Sequence, residues 1–353
     1  MAEMTSNITS NMTSTIGKKA MGPVAVENMV NVKADATSQS LDQASVLQRR
    51  MTQGVFGLAI AVLGLMALGS ATRVMNAGLS CPDWPLCYGQ VLPSNEMNLQ
   101  VFLEWFHRLV ATTIGLTTLG FFVTSLWHRR QLSAGFPQAI GFAVLVVLMQ
   151  GILGGLTVTQ LLRFDIVTAH LGTGLFFFMT LLTIAISFFP FNTSNGNTSN
   201  ITTSSNYELP TYLWKLGLVS VICIYGQSLM GGVVASRWAL HQCFGQQQLC
   251  TVMNSHLLGV IPATLSAIVV ITVALRTKPL PRILRYVVYG TGLCLVLQLL
   301  LGYATFRLHL QVEMLTIMHQ FVGAMLLGSV VFFTAATYRM RVSSMTASRM
   351  THV

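Results

Sequence analysis

"VVLMQGILGGLTV", residues 146–158, lies inside an uncharged run from Pro137 to Gln160. A run of that length crosses a hydrocarbon core of roughly 30 Å as an α-helix, because lipid leaves backbone amides no other partner. The stretch returns as "LVLQLLLGYATF", residues 295–306. The first fact sets the solvent, and the second points to a repeated plan.

Working outward, comparable apolar spans begin near Gly54, Glu104, Pro137, Ile166, Tyr212, Met253, Leu284 and Glu313. Hydrophobic residues make up 53% of the 353-residue chain and charged residues only 8%, with a mean hydropathy of +0.63. Soluble domains carry about 25% charged residues. The expectation is an all-α integral membrane protein of eight transmembrane helices.

The net charge of +10 does not indicate nucleic acid, because the basic residues cluster beside the spans. Arg49 and Arg50 precede the first, Arg129 and Arg130 follow the second, Arg276, Lys278, Arg282 and Arg285 join the sixth to the seventh, and Arg339 and Arg341 follow the eighth. The positive-inside rule then puts both termini in the cytoplasm. The loop between the fourth and fifth spans, with little beyond Lys215, contributes least to this assignment.

The histidines extend the repeat. The same 63-residue interval separates His107 from His170 and His256 from His319, so both members of the pair shift by 149. "SATRVMNAGLSC" (70–81) likewise echoes "VASRWALHQC" (234–243). An even number of spans per copy gives a parallel duplication, two tandem four-helix bundles related about an axis along the membrane normal. The expected organisation is a disordered cytoplasmic tail (1–50), a first bundle (51–190), a flexible linker (191–211) containing "NTSNGNTSNITTSSN", a second bundle (212–341) and a cytoplasmic tail (342–353).

In each bundle the two histidines sit a few residues inside helices that run the same way, hence at similar depth near the outer face. One intramembrane histidine is as often a helix-interface hydrogen-bonding residue. Four at duplicated positions suit two bis-histidine haem sites, with each macrocycle between helices. Zinc or copper would call for three or four clustered ligands. His128, His241, His309 and His352 lack such counterparts.

Cys223 and Cys294 fall within spans and read as small buried apolar residues. Cys81 with Cys87 and Cys243 with Cys250 lie in two outer loops, where an oxidising compartment favours disulfides. Arg73, Arg108 and Arg237 suit haem propionates, although interfacial snorkelling accounts equally for any one of them. The copies differ at one telling place. Glu104 aligns with Met253, so only the first bundle has a carboxylate one helical turn from its histidine. One haem then sits beside a proton acceptor and the other does not, which suggests a substrate haem and a redox haem.

Taken together, "GLSCPDWPLCYGQ" (78–90), "EWFHR" (104–108), "QGILGGLTV" (150–158), "TAHL" (168–171), "NSHLLG" (254–259) and "IMHQ" (317–320) resemble the heme A synthase family, in its paired-cysteine type, from about Gly54 to Arg341. The resemblance implies an oxidoreductase that converts the C8 methyl of haem O to a formyl group by successive hydroxylations, giving haem A for cytochrome oxidase. It implies that His107 and His170 hold the substrate haem with Glu104 as catalytic carboxylate. It also implies that His256 and His319 hold a haem b passing electrons away, in the plasma membrane of a prokaryote. Haem O synthase and cytochrome c oxidase assembly are the implied partners, besides membrane lipid. A di-haem cytochrome b exchanging electrons with quinol, and a haem carrier without catalysis, are the competing readings.

Overall fold

The structure, a computed structural model, describes residues 23–190, 209–235, 247–308 and 311–351. Among them are eight helices and, apart from an isolated bridge between Cys87 and Gln90, no strand pairing. They are α1 (Pro23–Val74), α2 (Leu99–Trp127), α3 (Phe136–Thr159), α4 (Phe164–Phe188), α5 (Tyr212–Val234), α6 (Gln247–Arg276), α7 (Arg282–Arg307) and α8 (Glu313–Thr351). Each contains a segment long and apolar enough to cross a membrane, and the protein is a multi-pass membrane protein. The chain divides into two compact units, Met1–Val46 and Leu47–Val353. Every side-chain contact discussed below lies within the second.

Residues 23–50, expected as disordered tail, are helical, since α1 runs unbroken from Pro23. Adding a residue to an existing helix needs no new nucleus, and residues 23–50 include four Ala, three Gln, two Leu and two Arg, all good helix formers, so the span extends backward through them. At the other end, α8 continues to Thr351. Most of the predicted linker, residues 191–208, lies outside the described residues.

Local chemistry sets several helix starts. Asn98 caps α2, its side chain accepting from Val101 N at 3.0 Å, which satisfies one of the free amides of the first turn. Gly135 adopts a left-handed φ of 88° before α3, and a proline occupies the first turn, where its missing N–H costs nothing.

Burial sorts the helices into centre and rim. The spans of α4 and α8 are each 56% buried, whereas those of α2 and α6 are each 17% buried. Successive helices pack as neighbours from α2 through α8, and α4 and α5 both also pack against α8. A continuous apolar core, including Phe178, Leu181, Leu327 and Val330, fills the centre. Polar contacts reinforce the packing where lipid supplies no hydrophobic drive. Thr291 donates to Ser329 at 3.0 Å, Tyr225 donates to Gly172 O at 3.1 Å, and Arg339 of α8 donates to the carbonyls of Ile186 and Phe189 at the end of α4.

Candidate functional site

The four histidines of the duplicated pairs occupy one recurring local environment. His107 of α2 packs on Gly69 of α1, where an added Cβ would stand 2.9 Å from the imidazole Cε1. The corresponding separation is 3.2 Å for Gly154 and His170, 3.0 Å for Gly231 and His256, and 2.9 Å for Gly302 and His319. Each helical hairpin thus presents one imidazole against one bare stretch of backbone. A side chain larger than hydrogen at any of these glycines would force the ring to move.

Three of the four glycines have a glutamine one turn before them, in "QGILG" (150–154), "QSLMG" (227–231) and "QLLLG" (298–302). Spacing of four residues puts glutamine and glycine on one helix face. The Gln150 amide nitrogen lies 3.3 Å from His170 Nε2 and that of Gln298 lies 3.4 Å from His319 Nε2. Gln227 comes within 3.0 Å of His256 Nδ1 and donates to the His256 carbonyl at 2.8 Å. The glutamines in turn rest on glycines of the histidine helices, namely Gly174, Gly259 and Gly323. His107 is the exception, because "LMALG" (65–69) puts Leu65 where the others have glutamine.

His256 and His319 both line a cavity of about 520 Å³, with Leu171 and Leu175 of α4 and Met66 and Arg73 of α1 forming part of its wall. Its surface is mostly apolar, and its volume falls in the range of cofactor pockets. The residues fit a haem. Two imidazoles suit axial ligation, the wall suits a flat apolar ring, and the His319 Nδ1 is buried without a partner among the described residues. Met253, the counterpart of Glu104 in the repeat, lines this same cavity. Among the described residues no group of three or more His, Cys, Asp or Glu side chains comes together.

Around Glu104 the structure adds a set of long-range contacts. Its carboxylate is 4% exposed and accepts from Arg108 Nη2 at 2.6 Å and from the backbone N–H of Cys81 at 2.9 Å. Arg108 also donates to the carbonyls of Asp83 and Leu86 at 2.6 Å each and of Cys81 at 3.2 Å. Cys81 and Cys87 are joined by a disulfide and buried. Trp105 donates to Val91 O at 2.7 Å, and Trp84 lies against Gly155 of α3. The loop between α1 and α2 is therefore fastened over the start of α2. Within it, Asp83 accepts from Tyr88 N and Gly89 N at 2.7 Å each, and these hydrogen bonds, that to Gly89 first, hold its carboxyl below the ordinary value of 3.8. Gly89 sits at φ 69°, a conformation that glycine adopts without penalty.

The predicted residues are thus distributed unevenly. The structure brings Glu104, Arg108, Cys81 and Cys87 into one cluster and commits the Arg108 guanidinium to Glu104 and the loop carbonyls. Arg73 faces the cavity of the other histidine pair and donates to Gln320 at 2.6 Å. Arg237, Cys243 and the side chain of Cys250 lie outside the described residues. Sequence reasoning missed the glycines and glutamines, although their fixed spacing of four in three odd-numbered helices was a readable signal.

Residues 53–331 match the family described as cytochrome oxidase assembly protein. The chain is similar to a heme A synthase of Shewanella oneidensis, 30% identical over 51% of this chain and 55% of that protein. A heme A synthase of an Exiguobacterium species is 24% identical over 53% of this chain and 58% of that protein. A protoheme IX farnesyltransferase of Halobacterium salinarum is 31% identical over 37% of this chain and 28% of that protein. The chain spans about half the length of the heme A synthases just named.

Proposed function

The chain belongs to the family of cytochrome oxidase assembly proteins, and from that premise we propose that it is a heme A synthase oxidising the C8 methyl of haem O to a formyl group. The observation that carries the reading is the fourfold histidine–glycine contact combined with an asymmetry of charge, Glu104 in one half against Met253 in the other. Two equivalent electron-transfer sites would need no such difference.

In this reading the halves are parallel copies. His107 and His170 hold haem O as substrate, and Glu104 serves there as the acceptor for protons released as the methyl group is oxidised. Its ion pair with Arg108 and its bond to Cys81 N fix the carboxylate in one orientation, which suits general base work. His256 and His319 would hold haem b, which supplies one-electron transfer when bound. The Gln227 amide steadies the His256 ring, as outer hydrogen bonds commonly do for metal-ligating histidines. The basic clusters support placing both termini in the cytoplasm of a bacterial cell and the histidine ends at the outer face. Similarity to a protoheme IX farnesyltransferase supports a link to the enzyme supplying haem O.

Mass spectrometry of the noncovalently bound porphyrins tests the proposal. Haem O, its hydroxylated form or haem A is expected in protein purified from cells that make haem O. Haem b alone, with no conversion of supplied haem O, would instead indicate a di-haem electron carrier.

A further inference from the structure

Arg73 belongs to α1, in the first half of the chain, yet it lines the cavity of the second histidine pair. Its position follows from the helix register. Arg73 lies four residues beyond Gly69 on α1, Thr305 lies three beyond Gly302 on α7, and Thr316 lies three before His319 on α8. Each step is about one turn, or roughly 5 Å, and each leads toward the end of its helix that borders the α1–α2 or α7–α8 connection. Arg73, Thr305 and Thr316 therefore each lie one turn beyond a glycine–histidine contact, and all three line the same cavity.

The chemistry of these residues is one-sided. Arg73 uses one donor on Gln320 at 2.6 Å out of the five a guanidinium carries. Thr305 and Thr316 are 7% and 9% exposed, and their hydroxyl oxygens are buried without a hydrogen-bond partner among the described residues. A buried hydroxyl left unmatched is unfavourable, and threonine in a membrane helix ordinarily donates to a carbonyl one turn back, as Thr118 and Thr337 do here. Two such hydroxyls lining the same cavity as a cation held by Gln320 suit an anionic ligand. Most of the remaining wall, including Met66, Leu171 and Leu175, is apolar, and Arg73 is the one guanidinium or ammonium group lining it among the described residues, so the ligand carries its negative charge at one end only.

We propose that Arg73, Thr305, Thr316 and Gln320 form a carboxylate-binding subsite for the propionates of a haem held by His256 and His319. Arg73 is contributed by the first half. The inference rests on the reading of this histidine pair as a haem site. It orients the macrocycle with its propionates toward the helix ends carrying the subsite and its apolar edge toward the membrane interior. It also makes the second site incomplete without α1.

The test uses the full-length chain carrying His107→Ala and His170→Ala, so that only the second pair can ligate, reconstituted in detergent with haem b or with haem b dimethyl ester. A charge-assisted pair predicts that the free acid binds roughly tenfold to a hundredfold tighter than the ester. Arg73→Gln should remove most of that preference while ester affinity stays at the parent level, which shows the variant is folded. Arg73→Lys should keep part of it, since an ammonium retains the charge and loses the bidentate fork. In otherwise unsubstituted protein, Arg73→Gln should lower the midpoint potential of haem b, because a cation beside the propionates favours the reduced iron. An unchanged acid-to-ester ratio in Arg73→Gln overturns the subsite and leaves the haem site standing. That result is also expected if the anion belongs to a lipid headgroup. Failure of the parent to bind either haem overturns the subsite and the haem b reading together.

Discussion

The Glu104 carboxylate accepts a hydrogen bond from the Cys81 backbone N–H at 2.9 Å, joining a membrane helix to the disulfide loop that lies over its start. Anchoring and chemistry can be separated at this residue. Glu104→Ala strands the Cys81 amide and part of the Arg108 guanidinium, at about 1–3 kcal/mol for a buried unsatisfied donor. Glu104→Gln keeps an acceptor of the same shape and removes the base. Both variants are expected to retain haem and to convert haem O roughly 10²- to 10⁴-fold more slowly, measured as haem A formed per enzyme. Wild-type conversion by Glu104→Gln would make the residue an anchor only.

Loss of a ligand should be selective. His256→Ala or His319→Ala is expected to remove a low-spin haem b signal while the protein still inserts and its first histidine pair stays intact. Difference spectra of purified variants decide this, and an unchanged haem b content in both would refute the assignment.

The glycines supply a test by steric means. Gly302→Ala places a Cβ 2.9 Å from His319 Cε1, so the ring must shift, and haem b content per protein should fall several-fold. Gly290 on the same helix has nothing within 4 Å of a new Cβ. Gly290→Ala should leave haem content unchanged and gain up to about 1 kcal/mol from helix propensity.

The loop between α1 and α2 should respond to acid through Asp83. Its carboxyl is held below 3.8 in the folded loop, so this contribution to loop stability is fully present above the ordinary value and is lost as pH falls through the lowered one. Hydrogen exchange at Tyr88 and Gly89 should show protection at neutral pH that declines in strong acid. Asp83→Asn should reduce that protection at neutral pH and remove its dependence on acid.

Thiol labelling completes the set. Cys81 and Cys87 should resist labelling in native membranes until reduced, given their bonded and buried state. Cys243 and Cys250 are expected to behave alike if the second loop faces the same compartment, and free labelling of that pair would place it elsewhere.

What the sequence made legible was whatever lipid enforces by length and composition. Eight apolar runs had to be helices, and the constant histidine interval survives any error at their ends. Contacts between distant segments were not legible. Nothing in "EWFHR" announces that Arg108 would turn to carbonyls of residues 81, 83 and 86, or that Arg73 would cross to Gln320 on the last helix. The Gln-x-x-x-Gly pattern was visible as letters, but small residues are so common in membrane helices that its meaning emerges only when each glycine is seen beneath an imidazole. The backward extension of α1 was missed because a polar composition was weighed without the neighbouring span that helix growth propagates from.

The division between centre and rim has a mechanical consequence. In each proposed pair, one ligand stands on a central helix, α4 or α8, and the other on a rim helix, α2 or α6, whose membrane-facing span is only 17% buried. Lipid offers a rim helix almost as comfortable an environment as its neighbours do. An iron ligated from both sides would rivet the rim to the centre, so the prosthetic group would act as a fastener of the architecture as well as its reagent. A chain deprived of it would keep its spans and lose the clamp between them.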